Sequence, residues 1–182
     1  MKIKKITVGV LSLITALVLY GCGNSNNDSE MKMDHSKMEH SGSSEVPKGL
    51  KVAENPTYKV GSKATITEGH MEGMKGAEAT IVGAYDTIAY AVTYTPTNGG
   101  EKVPNHKWVI QEEIKEANTK QFEPGAEVTL NADHMKGMKG AKVTIDSAEH
   151  TTVYMIDFKP TNGGETVKNH KWLTESELSP VK

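Results

Sequence analysis

From residue 58 onward, apolar and polar residues alternate in short runs, a pattern typical of half-buried β-strands. Gly61 precedes the first run, and Asn98-Gly99 separates the third run from the fourth, as expected of turns between strands. Residues 113–114 suggest a short helical turn. The runs cover residues 64–66, 77–84, 90–94 and 108–110, with counterparts at 128–130, 141–145, 154–158 and 172–173. The pattern predicts an all-β fold.

The strand pattern is duplicated. Residues 58–114 align with 122–178 at a constant offset of 64, and 26 of the 57 positions are identical. The longest matches are His-Met-x-Gly-Met-Lys-Gly-Ala, Pro-Thr-Asn-Gly-Gly-Glu and Asn-His-Lys-Trp. We therefore expect tandem SH3-like barrels of five short strands, the first β repeat covering 51–116 and the second 117–182. A barrel this small has a marginal core, so contact between the two, or a bound ion, would add stability.

The N-terminus has the pattern of a lipoprotein signal peptide. Three lysines precede an apolar run at residues 6–20, which ends in Leu-Tyr-Gly-Cys. The run is shorter than the roughly 20 residues that a membrane-spanning helix needs. We expect cleavage of residues 1–21, lipidation of Cys22, and anchoring to the extracytoplasmic face of the cell membrane, where two or more acyl chains give stable attachment.

Residues 22–50 are predicted to form a disordered tether, because they contain few apolar residues that a core could bury. Within this tether, five residues that can bind soft metals occur in ten positions. They are Met31, Met33, His35, Met38 and His40. Thioether sulfur suits Cu(I), and imidazole suits both oxidation states of copper. The alternative is a polar linker whose methionines have no ligand role.

Each repeat contains a second set of candidate copper ligands. We predict one cluster of two histidines and two methionines per repeat, if the first long loop and the last strand come together. The clusters would comprise His70, Met71, Met74 and His106 in the first repeat, and His134, Met135, Met138 and His170 in the second. Alternatively, Met74 and Met138 fill the core, and the later histidines bond to the backbone. Trp108 and Trp172 are expected in the core.

Composition excludes several classes of function. The chain has a formal net charge of −2 and no arginine, and it loses three lysines with the signal peptide, so specific nucleic-acid binding is not expected. The sole cysteine is the lipidation site, which excludes a disulfide within the chain. Gly-x-Ser-x-Gly and His-Glu-x-x-His motifs are absent, as is a candidate catalytic thiol, so we expect no enzymatic activity.

The two HMxGMxGA…PTNGGE…NHKW repeats resemble the YdhK family, formerly a domain of unknown function, over almost all of residues 58–178. With the lipidation motif and the Met/His tether, the chain is similar to the branch of that family that includes a staphylococcal copper-binding lipoprotein. This resemblance implies copper sequestration outside the membrane, with Cu(I) favoured over Cu(II), alongside a copper-exporting ATPase in copper tolerance. The alternative is an SH3-like adaptor that binds cell wall or a protein partner.

Overall fold

A computed structural model describes residues 43–181. The predicted signal peptide, Cys22 and the tether's Met/His segment lie outside these residues. The strands are β1 Lys51–Val52, β2 Lys63–Ile66, β3 Glu78–Tyr94, β4 Val103–Ile110, β5 Glu127–Thr129, β6 Lys142–Phe158, β7 Val167–Thr174 and β8 Leu178–Pro180. A 3-10 turn follows β4 at Gln111–Glu113, and another follows β7 at Glu175–Glu177. Within the described part of the chain, no helix is long and apolar enough to cross a membrane.

The strands form one open antiparallel sheet around two long strands. β3 and β6 pair along almost their whole lengths, from Ala79 opposite Phe158 to Tyr94 opposite Val143. The other edge of β3 is shared by β2, β1 and β4, and the other edge of β6 by β5 and β7. The predicted all-β fold is confirmed.

The prediction of two separate strands, at 77–84 and 90–94, is wrong because the structure has one continuous strand there. The intervening residues contain no glycine or proline, and β6 supplies hydrogen-bond partners throughout. Val82 and its equivalent Asp146 are extra residues in the ladder, where the register shifts. Such β-bulges bend a strand, so that the two ends of a long strand contribute side chains to different cores.

A pseudo-twofold axis relates the two repeats. Thr87 lies opposite Thr151, its own equivalent at the offset of 64. Since the strands are antiparallel, the start of each repeat therefore lies beside the end of the other. The C-terminal end of each repeat also pairs with the other repeat: Ile114 bridges Leu130, and Leu178 pairs with Ile66.

Two hydrophobic cores result, and both contain residues of both repeats. Core A contains Ala64, Ile66, Met74, Ala77, Ala79, Ile81 and Ala84 from the first repeat, and Tyr154, Ile156, Phe158, Leu173 and Leu178 from the second. Core B contains Tyr90, Val92, Tyr94, Val103, Val109 and Ile114 from the first, and Val128, Leu130, Ala132, Met138, Ala141, Val143 and Ile145 from the second. The expectation of closed tandem barrels, one per repeat, is therefore not met: the repeats share one open sheet.

A third apolar cluster contains both tryptophans. Trp108 and Trp172 pack there with Ala89, Val153 and Met155, among others. Trp172 is fully buried and Trp108 is 6% exposed, which confirms that both are core residues. Their indole N–H groups need hydrogen-bond partners in this setting, and the partners define the site described next.

Candidate functional site

A buried carboxylate, that of Glu177, lies at the centre of a hydrogen-bonded group. Glu177 as a whole is 2% exposed. Oε1 lies 2.8 Å from Nε2 of His70, while Oε2 accepts from the indole of Trp108 at 2.7 Å and from the backbone N–H of Thr174 at 3.0 Å. Through the bond from Thr174, the Glu177 side chain caps the beginning of its own 3-10 turn. We call these residues the Glu177 network.

The equivalent Glu113 network has the same geometry. Oε1 of Glu113 lies 2.5 Å from Nε2 of His134, and Oε2 accepts from the indole of Trp172 at 3.1 Å and from the N–H of Ile110 at 3.2 Å. In each network the glutamate belongs to one repeat, while the histidine and tryptophan belong to the other. Both networks therefore connect the two repeats.

The Glu177 carboxylate is held in its charged form. Burial by itself would raise its pKa, but the hydrogen bond and charge of His70, with the bonds from Thr174 and Trp108, outweigh burial and hold the pKa below its usual value. The ammonium of Lys107 lies 3.9 Å from Oε1 and adds positive charge. At the Glu113 network, burial lowers the pKa of the equivalent Lys171, and the nearby Glu113 and Glu45 charges only partly offset this effect.

The free nitrogen of each network histidine has the chemistry of a ligand. His134 is 8% exposed, and the His70 side chain is 12% exposed. In a neutral ring the proton faces the carboxylate at Nε2, so a lone pair remains at Nδ1. Nδ1 of both histidines is buried and has no hydrogen-bond partner. A carboxylate behind a histidine is also the usual outer-shell arrangement in metal sites.

The loop that carries each histidine is fixed by a turn of the other repeat. Gly73, at a φ of +78°, accepts a 2.9 Å hydrogen bond from the N–H of Thr161. Gly137, at a φ of +79°, accepts the same bond from Thr97. The repeated Pro-Thr-Asn-Gly-Gly turn therefore packs on the repeated His-Met-x-Gly loop, which explains why both motifs occur in both copies.

Replacement of Gly73 by alanine should destabilise the fold more than replacement of Gly76. Both have a φ near +80°, so alanine at either costs about 1–2 kcal/mol in backbone strain. A Cβ at Gly73 would also lie 2.8 Å from Cβ of Pro160 and collide with Asn162, whereas nothing lies near Gly76. Overpacking adds about 1–3 kcal/mol. Equal free energies of unfolding for the two variants in urea titrations would contradict this packing.

The structure separates the predicted methionine ligands into two groups. Met74 and Met138 are fully buried in cores A and B, where they pack against aliphatic and aromatic side chains. Met71 is partly buried against core A, and Met135 is 6% exposed. Met71 and Met135 directly follow the network histidines. Of the four methionines, Met71 and Met135 are therefore the better placed to bind a metal together with a histidine imidazole.

The later histidines sit on irregular strand segments. Asn105 and Asn169 have left-handed φ values of 46° and 52°, which asparagine tolerates well, and the register shifts around the histidines that follow. The ring of His106 packs on Tyr94, with centroids 5.9 Å apart, and the ring of His170 packs on Phe158 at 5.7 Å.

His70 lies close to a histidine of the other repeat, whereas the predicted clusters combined only residues of the same repeat. The ring centroid of His170, from the other repeat, lies 6.5 Å from that of His70. His106 lines the same cleft as His70, a space of about 300 Å³ that also includes Glu68 and Lys107. We call it the first cleft. Among residues 43–181, no three His, Cys, Asp or Glu side chains form a group that could hold a metal ion.

Sequence reasoning missed Glu113 and Glu177, because acidic residues are common in this chain and nothing local marks these two. The duplication does contain a signal: both copies keep this glutamate, although the two residues before it differ, Gln111-Glu112 in one and Glu175-Ser176 in the other. Retention of an acidic residue in both copies, at the end of an apolar strand, indicates that its carboxylate is buried with a partner.

The fold and the paired networks define a class: a duplicated all-β protein in which two interleaved repeats enclose two equivalent His-Glu-Trp centres. A family model described as a protein of unknown function (DUF1541) matches this chain twice, over residues 60–111 and 124–175. The chain belongs to the DUF1541 family. The predicted resemblance to the YdhK family is confirmed by relatives of that name.

Relatives of known sequence or structure support this family membership. The chain is 59% identical to the uncharacterized protein YdhK of Bacillus subtilis strain 168, over 98% of this chain and 91% of that protein. A crystal structure of the DUF1541 family protein ydhK from B. subtilis matches with a TM-score of 0.77 at 64% identity, covering 81% of this chain and all of that one. A solution NMR structure of the ydhK C-terminal domain matches with a TM-score of 0.64 at 66% identity, over 67% of this chain and 92% of that one.

Proposed function

We propose that this protein is a lipid-anchored, extracytoplasmic copper-binding protein that sequesters copper outside the cell membrane and so supports copper tolerance. The observation that carries the proposal is the buried, unpartnered Nδ1 of His70 and of His134, each opposite an Nε2 that faces a buried carboxylate. An unpaired polar atom in a protein interior is costly, and a bound metal would remove that cost.

The surrounding donors favour copper over harder cations. Met71 and Met135 follow the two histidines directly, and thioether sulfur prefers Cu(I) to magnesium or calcium. Glu113 and Glu177 would keep each imidazole in the required tautomer and orientation. The tether's Met31, Met33, His35, Met38 and His40 supply further donors of the same two kinds, so Cu(I) is the favoured form and Cu(II) the second.

The alternative adaptor function would give the His/Met loops no chemical role. In that case, the network histidines would serve only to join the repeats. A copper-exporting ATPase system remains the partner that the family resemblance implies, and the membrane is reached through the lipid on Cys22. Copper uptake separates the two functions, because an adaptor has no need to bind copper.

Copper uptake should depend on both sets of donors. The test compares mature protein that lacks residues 23–42 with a variant in which His70, Met71, His134 and Met135 are replaced by alanine. Each should retain only part of the Cu(I) bound by the intact protein in competition with a chelator, because each keeps one set of donors. Circular dichroism checks the fold of both.

The contrary outcomes are distinct. If the tether deletion alone abolishes binding, the folded part is a scaffold without sites. If only the loop variant loses copper, the tether is a spacer. If neither variant changes Cu(I) uptake, the copper function is wrong and the adaptor function gains support. A matched control, Glu165→Gln on the exposed turn, should bind copper as the original protein does.

Membrane attachment should depend on Cys22. Cys22→Ala removes the thiol that receives diacylglycerol, so the protein should appear in the medium or accumulate as uncleaved precursor. Cell fractionation followed by immunoblotting measures this. Retention of the variant in the membrane fraction at the original level would show that something other than the lipid anchors the protein.

A further inference from the structure

The two long strands differ in how completely their edges are paired. β3 pairs with β6 along one edge and with β4, β1 and β2 along the other. β6 has only β7 and β5 on its other edge. Residues 148–150 of β6 are the equivalents of residues 84–86, which β1 and Ala53 cover, yet within residues 43–181 no strand pairs with 148–150 on that edge. We call residues 148–150 the β6 gap.

The gap follows from the course of the chain between the repeats. At the offset of 64, the counterparts of Lys51 and Val52 in β1 are Lys115 and Glu116. The N–H of Lys115 donates to the carbonyl of Thr129 at 2.8 Å, so this segment pairs with the end of β5. The same few residues cannot close the first repeat beside β5 and also cover the middle of β6.

The equivalent edge of β3 shows what fills such a gap. The N–H of Ala53 donates to the carbonyl of Ala84 at 3.0 Å, and Lys51 pairs with Asp86. Because alternate residues of an antiparallel strand direct their backbone groups to the same side, Val52 directs its N–H away from β3. Three residues of extended chain are therefore sufficient to cover this edge.

The β6 gap offers the same backbone groups without a strand over them. By the pseudo-twofold axis, Ala148 and His150 take the places of Ala84 and Asp86, so their N–H and C=O groups face the open edge. Ala84 is 2% exposed beneath its covering strand, whereas Ala148 is partly exposed and His150 is fully exposed. Unpaired backbone groups at a sheet edge are a template for an added strand.

The side chains along the gap determine which strand would fit. On β3, Val82 and Tyr85 pack with Leu50, which precedes β1, against the third apolar cluster. Their equivalents on β6 are Asp146 and Glu149, and both are exposed. Opposite charges on neighbouring strands stabilise a sheet, and like charges destabilise it. A strand in the gap therefore meets carboxylates where β1 meets apolar side chains, and cationic side chains suit it best.

From these observations we infer that the β6 gap is a docking site for a short, extended, basic peptide of a partner protein, which adds a strand to the sheet. Backbone bonds to Ala148 and His150 supply affinity, and lysine or arginine beside Glu149 supplies selectivity. β5 and β7, on the same edge, limit the occupant to a few residues and so exclude the long β6 of a second copy. This binding is additional to the proposed copper function and does not depend on it.

The probe is a synthetic peptide with the sequence of residues 48–55, which contains the strand that fills the equivalent edge and two lysines. It is titrated into isotope-labelled mature protein with Cys22→Ser. Amide chemical shifts should change at residues 148–150, and the solvent exchange of those amides, rapid in the protein alone, should slow. A peptide with Lys48→Glu and Lys51→Glu should bind roughly 5- to 10-fold more weakly, because it meets Glu149 and Asp146 with like charge.

N-methylation of the probe separates strand addition from attraction between charges. A methyl group on the amide nitrogen of Ala53 removes the N–H that would bond to Ala148, so affinity should fall about tenfold. A methyl group on the amide nitrogen of Val52, which faces away from the sheet, should leave affinity unchanged. Equal affinities of the two methylated peptides would overturn strand addition.

Variants of the protein then locate the site. Ala148→Pro removes an N–H that faces the gap and none that faces β3, so it should weaken binding of the probe about 2- to 10-fold. Glu149→Lys should weaken it as well, whereas the matched change Glu101→Lys, on an exposed turn, should not. If Ala148→Pro unfolds the protein, Glu149→Lys and the methylated peptides still decide the matter.

Three outcomes would overturn the docking site. Slow exchange of the Ala148 and His150 amides in the protein alone would show that the gap is already covered, by the chain itself or, where the protection grows with protein concentration, by a second copy. Shift changes at residues 84–86 in place of 148–150 would show that the probe only replaces β1. Absence of any shift change at millimolar probe would show that the edge does not accept a strand.

Discussion

Separate fragments of residues 43–119 and 120–182 are expected to be unfolded alone and to recover native structure when mixed. Each core takes residues from both repeats, so a single fragment lacks half of each. Core A alone loses five large side chains of the second repeat. At about 1.5–3 kcal/mol for each, their loss is comparable with the roughly 5–15 kcal/mol that stabilises a typical domain.

Circular dichroism and tryptophan emission measure the result. The control is the whole chain with a protease site between Thr119 and Lys120, in the exposed connection between repeats. Cleavage there should leave the native spectrum unchanged, because the interleaved strands hold the two parts together. Self-association of one fragment, with Thr87 or Thr151 opposite its own copy, would reproduce the observed strand pairing. A folded monomeric fragment with cooperative unfolding would contradict the interleaved architecture.

Removal of one buried carboxylate should have the second largest effect. Glu177→Gln leaves the Trp108 indole and the Thr174 N–H facing an amide and removes the charge beside His70. Hydrogen bonds to a charged group contribute about 1.5–3 kcal/mol each, and an amide cannot accept all three of the bonds that the Glu177 carboxylate accepts. Glu113→Gln should behave alike. Glu165→Gln, on an exposed turn, should stay within about 0.5 kcal/mol of the original protein.

The pH dependence of the Glu177 effect has a definite sign. Because the native pKa lies below the ordinary value of 4.5, the carboxylate adds stability above that value, and this contribution disappears as pH falls towards the lowered pKa. The difference in unfolding free energy between the original protein and Glu177→Gln should therefore be largest near neutral pH and shrink in acid. A difference that stays constant from pH 7 to pH 3 in urea titrations would exclude an ionised Glu177 as the source.

The same substitutions also test the copper proposal. Loss of an outer-shell carboxylate typically reduces metal affinity about 10- to 100-fold. Glu177→Gln should weaken copper binding beside His70, and Glu113→Gln should weaken binding beside His134. If both variants lose stability and keep their copper affinity, the networks serve to join the repeats, and copper binds elsewhere.

Local patterns in the sequence were sufficient for several features. The alternation of apolar and polar residues determines an all-β chain, because side chains on a strand point to opposite faces in turn. The glycines of the two His-Met loops follow from the need for positive φ at Gly73 and Gly137. The burial of Trp108 and Trp172 follows from their size and apolar character, and the fixed offset of 64 establishes the duplication.

Only the tertiary structure shows with which repeat each strand pairs. Two copies that share the same order of apolar runs and turns satisfy the same local patterns whether their strands pair within a copy or between copies. Periodicity therefore cannot distinguish tandem barrels from one shared sheet. The choice depends on long-range pairing such as Thr87 opposite Thr151. The same pairing carries His70 and Trp108 to a glutamate more than sixty residues away. Glu177 acquires its role because burial depends on which distant donors surround it, and that environment exists only once both repeats are folded together.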